Sequence, residues 1–428
     1  MARPVSRRRF CGLLIGTGAL ALFSACGGPP PPEALTPSPT PAPAKPGEPA
    51  QPTPTPAMGA APKVGAPTPT PTPEPPQLVT EVPPLAKEAE GKTYTAVPSL
   101  TYKGEIVFYA QAYTPVTPTA TRPKPPRYLN RIIAEYEKLH PGIKIKLVPP
   151  AQIQGDYTTW LRTQIAGGQA PDIFWHHWSF VNNDLPKGTV VDLRPWMEKP
   201  NPYISSGPGS QKWIDLFTDH VIEQIRAPDG AIYQVNGDIV STNFYYNKDL
   251  FMKAGLDPEK PPKTWEEFIQ AQESLKSKGI VPTLMTVGPK DYRWSWWQRD
   301  AGTMLFVHRF EELSVDGAKY QLSQLAQTVS FKKGILHPDN PAYQEVWRIF
   351  KDWSKYWPEG FLADYDFYRD WARGEVAIMW NGSWAAPAAL NDPLISFKWG
   401  TFRMPKFTKQ TTPHATEVDP PAWGAGGP

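Results

Sequence analysis

The distribution of proline and tryptophan divides this chain of 428 residues into two parts that cannot share one fold. Residues 27–100 hold 23 of the 54 prolines and a single aromatic residue, Tyr94, whereas all 17 tryptophans come later. A segment with few large apolar side chains and many residues that lack a backbone N–H cannot bury a core, so it stays extended. We therefore predict a disordered Pro/Thr-rich stalk over 26–103 and a folded body from residue 104 onward.

The first 25 residues have the pattern of a bacterial export signal. Residues 6–10 (SRRRF) resemble a twin-arginine motif, and the apolar run 11–25 that follows is too short to span a bilayer. Small residues precede Cys26, as in a lipoprotein cleavage site, although Phe23 stands where such sites usually carry leucine. We predict a signal peptide over 1–25 and a lipidated Cys26 that anchors the exported protein at the cell surface or in the periplasm. The alternative is an ordinary signal peptide with a chance cysteine.

Charge and cysteine content exclude several classes of protein. The formal net charge is +3, and residues 1–25 contribute four arginines and no acid, which leaves about −1 for the remainder. A nucleic-acid binder needs a basic face to displace counterions from phosphate, so none is expected here. Cys11 and Cys26 are the only cysteines, so the folded body has neither a disulfide nor a cysteine-based zinc site. We expect no cofactor and no metal.

Strand and helix patterns alternate along the body, which favours an α/β fold. Residues 105–110 (EIVFYA) and 171–175 (PDIFW) are typical of buried strands, and 143–147 (IKIKL) alternates as a half-exposed strand does. Apolar residues at i, i+3, i+4 and i+7 from Leu129 predict an amphipathic helix between the first two strands. Thr264, followed three residues later by a glutamate, predicts a helix that begins with a capping box.

Seven short stretches occur in an order and spacing that chance does not explain over roughly 300 residues. They are 136–144 (YEKLHPGIK), 171–175 (PDIFW), 191–193 (VDL), 245–251 (YYNKDLF), 262–268 (PKTWEEF), 373–379 (RGEVAIM) and 381–384 (NGSW).

With these stretches the sequence resembles the extracellular sugar-binding lipoproteins of ABC importers, the family that includes maltose-binding protein. The resemblance implies a two-lobed periplasmic-binding-protein-like fold (type II), with a first lobe over 104–240 and a second over 243–411. The chain crosses between them at a hinge near 238–243, and 412–428 returns toward the first lobe. Family members continue with further helices, so we expect a chain truncated at its C-terminus; the alternative is that another chain supplies the missing portion. The implied partners are a carbohydrate or related polar solute and the ABC permease subunits, and we expect a monomer.

Candidate ligand residues in the first lobe follow the predicted strands, because the carboxyl ends of such strands face a cleft. Gln111 and Tyr113 follow the first strand. Trp175, His177 and Trp178 follow a later one, in a loop that faces ligand by resemblance; maltose-binding protein has a carboxylate in the place of Trp178. Core packing is the alternative for some of these side chains. The histidine pair does not indicate a metal site, because adjacent side chains on an extended backbone diverge.

The remaining candidates lie at the crossing and in the second lobe. Asp238 and Ser241 sit at the predicted hinge, where a carboxylate can accept hydroxyl hydrogen bonds. Trp294 and Trp296 share one face if their segment is extended, and they would form an aromatic platform there. Trp384 matches by resemblance a position that stacks on sugar, and aromatic faces suit the C–H faces of pyranose rings.

We therefore predict a solute-binding lipoprotein that captures an oligosaccharide or polyol between its lobes and performs no covalent chemistry. One alternative is a secreted glycoside hydrolase, which would need two carboxylates flanking the bond that is cut. The other is a surface adhesin that binds a polymer or cell surface without a transporter.

Overall fold

The structure is a computed structural model of the chain, and it describes residues 76–84, 96–97, 100–119, 125–153, 156–183, 185, 188–287, 293–362 and 367–419. The predicted signal peptide, the lipidation site Cys26 and most of the predicted stalk lie outside the described residues. Two sheets, each with its own helices and core, give the described part of the chain a two-lobed α/β fold, as predicted.

The first lobe is built on a parallel sheet of three strands in the order β2-β1-β3. Parallel neighbours need a crossover connection, which helices supply between successive strands. The predicted strand 171–175 is shorter than expected and is not buried, since Ile173 on β3 is 51% exposed at the sheet edge. The strands are β1 (Gly104–Tyr109), β2 (Ile143–Leu147) and β3 (Ile173–Phe174).

Five helices cover the first lobe and bury two small apolar clusters. One cluster centres on Leu161 and Phe180, and the other on Met197, Val221 and Ile225. The predicted amphipathic helix is confirmed as α1, which ends at Leu139, directly before the His-Pro-Gly sequence. The helices are α1 (Tyr128–Leu139), α2 (Tyr157–Ala166), α3 (Trp178–Asn183), α4 (Arg194–Met197) and α5 (Asp219–Ile225).

Part of the predicted stalk belongs to the first lobe. Residues 76–84, called the strap below, form an antiparallel bridge between Leu78 and Val116. The buried side chain of Asn130 donates from Nδ2 to the carbonyl oxygens of Val79 and Glu81, at 2.7 and 2.8 Å. The expectation of a disordered stalk through residue 103 is therefore wrong for the strap. Proline excludes regular structure, but it leaves carbonyl oxygens free to accept hydrogen bonds.

The second lobe is built on a mixed sheet of four strands in the order β5-β6-β4-β7. The central strand β6 is buried at every residue, in agreement with its continuous apolar run. It pairs in parallel with β5 and antiparallel with β4, the first strand of this lobe along the chain. The strands are β4 (Thr242–Asn247), β5 (Val281–Leu284), β6 (Val376–Gly382) and β7 (Trp399–Phe402).

Helices pack on this sheet around an aromatic core that includes Phe244, Trp265, Trp297 and Trp353. The predicted capping box is confirmed at α7, where the Thr264 hydroxyl accepts from the backbone N–H of residue 267. The helices are α6 (Lys248–Lys253), α7 (Trp265–Ser277), α8 (Arg293–Phe306), α9 (Phe310–Leu313), α10 (Gln324–Lys332), α11 (Pro341–Ser354), α12 (Phe367–Ala372) and α13 (Ala385–Ala389).

The described residues after 411 remain with the second lobe. Ala415 is buried in its core, and the Thr416 backbone N–H donates to the Met304 carbonyl oxygen at 3.1 Å. The prediction that a return toward the first lobe begins at residue 412 is therefore wrong for 412–419, because apolar and hydrogen-bonding contacts hold this segment against α8. Within the described residues, no helix is both long enough and apolar enough to cross a bilayer.

Candidate functional site

Two tryptophans of the second lobe meet at a right angle and form an aromatic corner. Trp296 lies on α8 and Trp384 immediately precedes α13; their ring centroids are 5.4 Å apart and their planes are inclined by 86°. Trp384 is 49% exposed and Trp296 is half-buried. Both residues were predicted from the sequence, and the structure brings them together. An exposed indole face beside a second indole edge is a surface on which a flat apolar ligand face can stack.

The end of β6 fixes the position of Trp384. The Tyr245 hydroxyl donates to the Gly382 carbonyl oxygen at 2.9 Å, and Gly382 is the last residue of the buried strand. The indole of Trp384 folds back over Gly382 so closely that a Cβ on this glycine would overlap the ring. Glycine is therefore required by close approach of the side chain, and its φ is not in the left-handed region.

The segment predicted as the hinge crossing is joined directly to this corner. The Ser383 backbone N–H donates to the Ser241 carbonyl oxygen at 2.7 Å, and the Ser241 N–H donates back to the Ser383 hydroxyl at 3.2 Å. Ser241 was predicted as a ligand residue, and its hydroxyl accepts from Asn243 Nδ2 at 3.0 Å. Asp238, three residues earlier, is partly buried, and this burial raises the pKa of its carboxyl group.

A buried carboxylate that the sequence analysis did not single out links α8 to β4. Asp300 accepts the Thr242 hydroxyl on Oδ2 at 3.0 Å, and on Oδ1 it accepts Arg299 Nε and Nη2 at 3.1 and 2.8 Å. Burial raises its pKa, although the Arg299 charge opposes that shift. The arginine lies three residues after Trp296, on the same side of the helix. The adjacent Arg-Asp pair beside the tryptophan-rich motif was the available sequence signal.

The helical conformation of 293–306 corrects one expectation about the tryptophans. Trp294 and Trp296 were expected to share a face of an extended segment, but two residues along a helix rotate by about 200°. Trp294 packs toward Trp347, at 6.2 Å between ring centroids, against the hydrophobic core. Of the two candidates, only Trp296 therefore lies in the aromatic corner.

In the first lobe, Gln111 and Trp175 lie at the same edge of the sheet. β1 and β3 are parallel, and Tyr109 pairs with Phe174; Trp175 directly follows Phe174, and Gln111 comes two residues after Tyr109. Gln111 begins a short 3₁₀ turn that ends at Tyr113, and its φ of 48° is rare for a residue other than glycine. Tyr113 is exposed.

His176, in the loop after β3, packs between two aromatic rings, although it was not among the predicted ligand residues. Its ring stacks on Phe180 at 3.7 Å between centroids and on Tyr157 at 5.3 Å. The backbone N–H of His177 donates to His176 Nδ1 at 2.8 Å, so the neutral ring carries its proton on Nε2, which lies 3.2 Å from the Thr158 hydroxyl. Burial lowers the pKa of His176 to about 4.

The other two candidates of this loop take part in the start of α3. The carbonyl oxygen of His177 accepts from the backbone N–H of Phe180 at 3.0 Å. Trp178 is the first residue of that helix, and its side chain lies outside the described part of the chain. Among the described residues, no three His, Cys, Asp or Glu side chains are grouped so that they could hold a metal ion.

Two α/β lobes, with an aromatic corner beside the segment that leads into β4, define a two-lobed fold. The sequence model of bacterial extracellular solute-binding proteins matches residues 119–427, and the chain belongs to this family. The resemblance predicted from the sequence is thereby confirmed.

Individual relatives match a smaller share of the chain. The chain is 25% identical over 287 residues to the multiple sugar-binding protein of Streptococcus mutans, a match that covers 65% of this chain and 59% of that protein. It is 42% identical over 62 residues to the sn-glycerol-3-phosphate-binding periplasmic protein of Brucella abortus, or 14% of each chain. An ABC substrate-binding protein from Listeria monocytogenes, solved in complex with cycloalternan, superposes with a TM-score of 0.49 at 21% identity, covering 72% of this chain and 68% of that one.

Proposed function

We propose that this protein captures a carbohydrate, an oligosaccharide or related polyol, between its lobes and delivers it to an ABC importer. The observation that carries the proposal is the corner formed by Trp296 and Trp384 beside the hinge crossing. Aromatic faces bind the apolar faces of sugar rings, and the polar groups of Asp238 and Ser241 suit hydroxyls. A relative is named as a sugar-binding protein, which supports the same ligand class.

In this proposal the protein binds without catalysis. A glycoside hydrolase needs one free carboxyl group as acid and a second as base or nucleophile. Asp300 is committed to Thr242 and Arg299 through both of its oxygens, so it serves to hold α8. Incubation with aryl glycosides tests the alternative: turnover that disappears in Asp238→Asn would establish an enzyme instead.

The remaining elements of the proposal concern where the protein works. Export and lipidation at Cys26 would place the body outside the cytoplasmic membrane, on a proline-rich stalk, as a monomer that docks on permease subunits. Family membership supports export. Mass spectrometry of the protein purified from membranes tests the anchor, since a diacylglyceryl group on Cys26 adds a defined mass that Cys26→Ser removes.

A thermal-shift panel of mono- and oligosaccharides, polyols, amino acids and sugar phosphates tests the ligand class. A ligand at 100 times its dissociation constant stabilises the folded state by about 2.7 kcal/mol, which shifts the melting temperature measurably. We expect a rise with one class of carbohydrate that Trp384→Ala abolishes. Trp196→Ala is the matched control, because this tryptophan is 55% exposed on α4, outside the site. A rise only with amino acids, or no rise at all, would contradict the proposal.

A further inference from the structure

A carboxylate of the first lobe binds three consecutive backbone amides of the second lobe. Glu223 on α5 accepts the N–H of Lys319 on Oε2 at 2.7 Å. Its Oε1 accepts the N–H groups of Tyr320 and Gln321 at 2.9 and 3.0 Å. Glu223 and the three amides are almost 100 positions apart in the sequence, and they belong to lobes with separate cores. Hydrogen bonds to an ionised acceptor are stronger than those between neutral groups.

A second contact uses the same face of α5. His220 lies one turn before Glu223, and its ring meets the ring of Tyr320 edge-on, with centroids 5.6 Å apart and planes at 85°. Residues three apart on a helix are neighbours on its surface. The carboxylate and the imidazole therefore engage one and the same loop, between α9 and α10.

Both sides of this contact are anchored in their own lobes. On α5, Val221 and Ile225 are buried in a first-lobe cluster. The loop is flanked by Leu313, buried in the second-lobe core, and by Leu322, which packs against that core. The contact therefore joins the two lobes themselves, because each side of it is packed against the core of its own lobe.

The backbone conformation of this loop exposes the amides of 319–321 to Glu223. Gly317 adopts a φ of +79°, in the left-handed region that favours glycine, and the Ser314 hydroxyl donates to the Ala318 carbonyl oxygen. This turn reverses the chain directly before Lys319. Successive backbone N–H groups that point to one side form a concavity for an anion, and here the anion is a carboxylate of the other lobe.

We propose that Glu223 is a positioning residue that holds the two lobes in the arrangement described here and so sets how readily the binding cleft changes width. The carboxylate can meet the three amides only when α5 and the loop lie side by side, so its removal shifts the population toward more separated lobes. The consequence for solute capture rests on the proposed function, but the contact does not. If the lobe arrangement that binds solute becomes less populated, the apparent affinity for solute falls in proportion to that population.

Hydrogen exchange and small-angle X-ray scattering of the full chain, both without sugar, test the proposal. In Glu223→Ala we expect the amides of 319–321 to exchange at least about tenfold faster, since about 1.4 kcal/mol of lost protection corresponds to that factor. The radius of gyration should increase. Glu223→Gln keeps an acceptor oxygen without the charge, so its exchange rate should lie between those of the wild type and Glu223→Ala.

The matched control is Glu198→Ala, which removes an exposed first-lobe carboxylate that binds Lys212 at 3.0 Å. It should leave both readouts unchanged. Unaltered exchange at 319–321 in Glu223→Ala would show that the contact does not form in solution. Faster exchange with an unchanged radius would show a local contact that does not position the lobes, which also overturns the proposal. Neither readout involves a sugar, so failure of the proposed function leaves this test intact.

Discussion

Gly382 shows how one residue without a side chain can shape a binding surface. It ends a buried strand, and the indole of Trp384 occupies the space that a Cβ would need. The backbone of Ser383 is held by Ser241, which directly precedes β4. The orientation of the most exposed aromatic group of the corner is therefore set by its immediate neighbours.

Gly382→Ala should weaken sugar binding without unfolding the protein. The added methyl group displaces the indole of Trp384 from the corner, and an aromatic contact is worth about 0.5–1.5 kcal/mol, so we expect up to about tenfold weaker binding by calorimetry. Gly302→Ala is the control, since a Cβ there meets nothing within 4 Å in the middle of α8. Equal affinities of the two variants would contradict the argument.

His176 should make stability depend on pH. Its pKa in the folded protein is lowered to about 4 by burial, against an ordinary value of about 6.5. Between these values the unfolded chain binds more protons, so the free energy of unfolding should fall as pH decreases from about 6.5 to 4. Urea unfolding at several pH values measures this slope. His176→Phe keeps a ring for stacking and should flatten the profile; a profile as steep as that of the wild type would exclude His176 as its source.

Among the structural elements, the strap differs most from the prediction, because it was expected to be part of a disordered stalk. It has no regular structure of its own, and the lobe holds it through Asn130, the bridge at Leu78 and an ion pair between Arg127 and Glu81. The strap also pairs with residues 115–117, which follow the turn that carries Tyr113. The last part of the proline-rich segment therefore supports a loop with candidate ligand residues.

Asn130→Ala should release the strap. Two buried hydrogen bonds are lost and two carbonyl oxygens lose their donor, so we expect a loss of about 1–3 kcal/mol in the free energy of unfolding by urea titration. Amides of 76–84 should also exchange faster. Arg127→Ala, which removes only an ion pair to the largely exposed Glu81, should cost less than about 1 kcal/mol. The reverse order of the two losses would contradict this assignment.

Helix α7 begins with the capping box that the sequence predicted. Thr264→Ala removes the N-cap acceptor, so the free energy of unfolding should fall by about 1 kcal/mol. Thr264→Ser keeps the hydroxyl and should retain most of the stability. Thermal or urea unfolding of the three proteins measures the difference, and an alanine variant as stable as the serine variant would show that the cap contributes nothing.

At the scale of the whole molecule, the apolar core is unevenly divided between the lobes. The described part of the second lobe buries one large cluster around Phe244, Trp297 and Trp353 and two smaller ones, whereas the described part of the first lobe buries only two small clusters. We expect amides of β4 and β6 to exchange more slowly than those of β1 and β2 under native conditions, because a local opening of the first lobe exposes less apolar surface. Equal protection of both sheets would contradict this expectation.

The sequence by itself determined the features that depend on neighbouring residues. Helical spacing from Leu129 located α1, and Thr264 with Glu267 located the start of α7. The resemblance identified the family and the two-lobed α/β fold. Each of these signals is local or compositional, so it can be recognised in the sequence without knowing how the chain packs.

Only the tertiary structure decided how distant residues combine. It selected Trp296 over Trp294 for the corner, because the segment is helical and one side of that helix is needed for the core. It joined Asp300 to Thr242, and it placed the strap and residues 412–419 against lobes that sequence patterns had not assigned to them. Such contacts form when buried surfaces bring together residues that are tens to more than a hundred positions apart, and no local pattern records them.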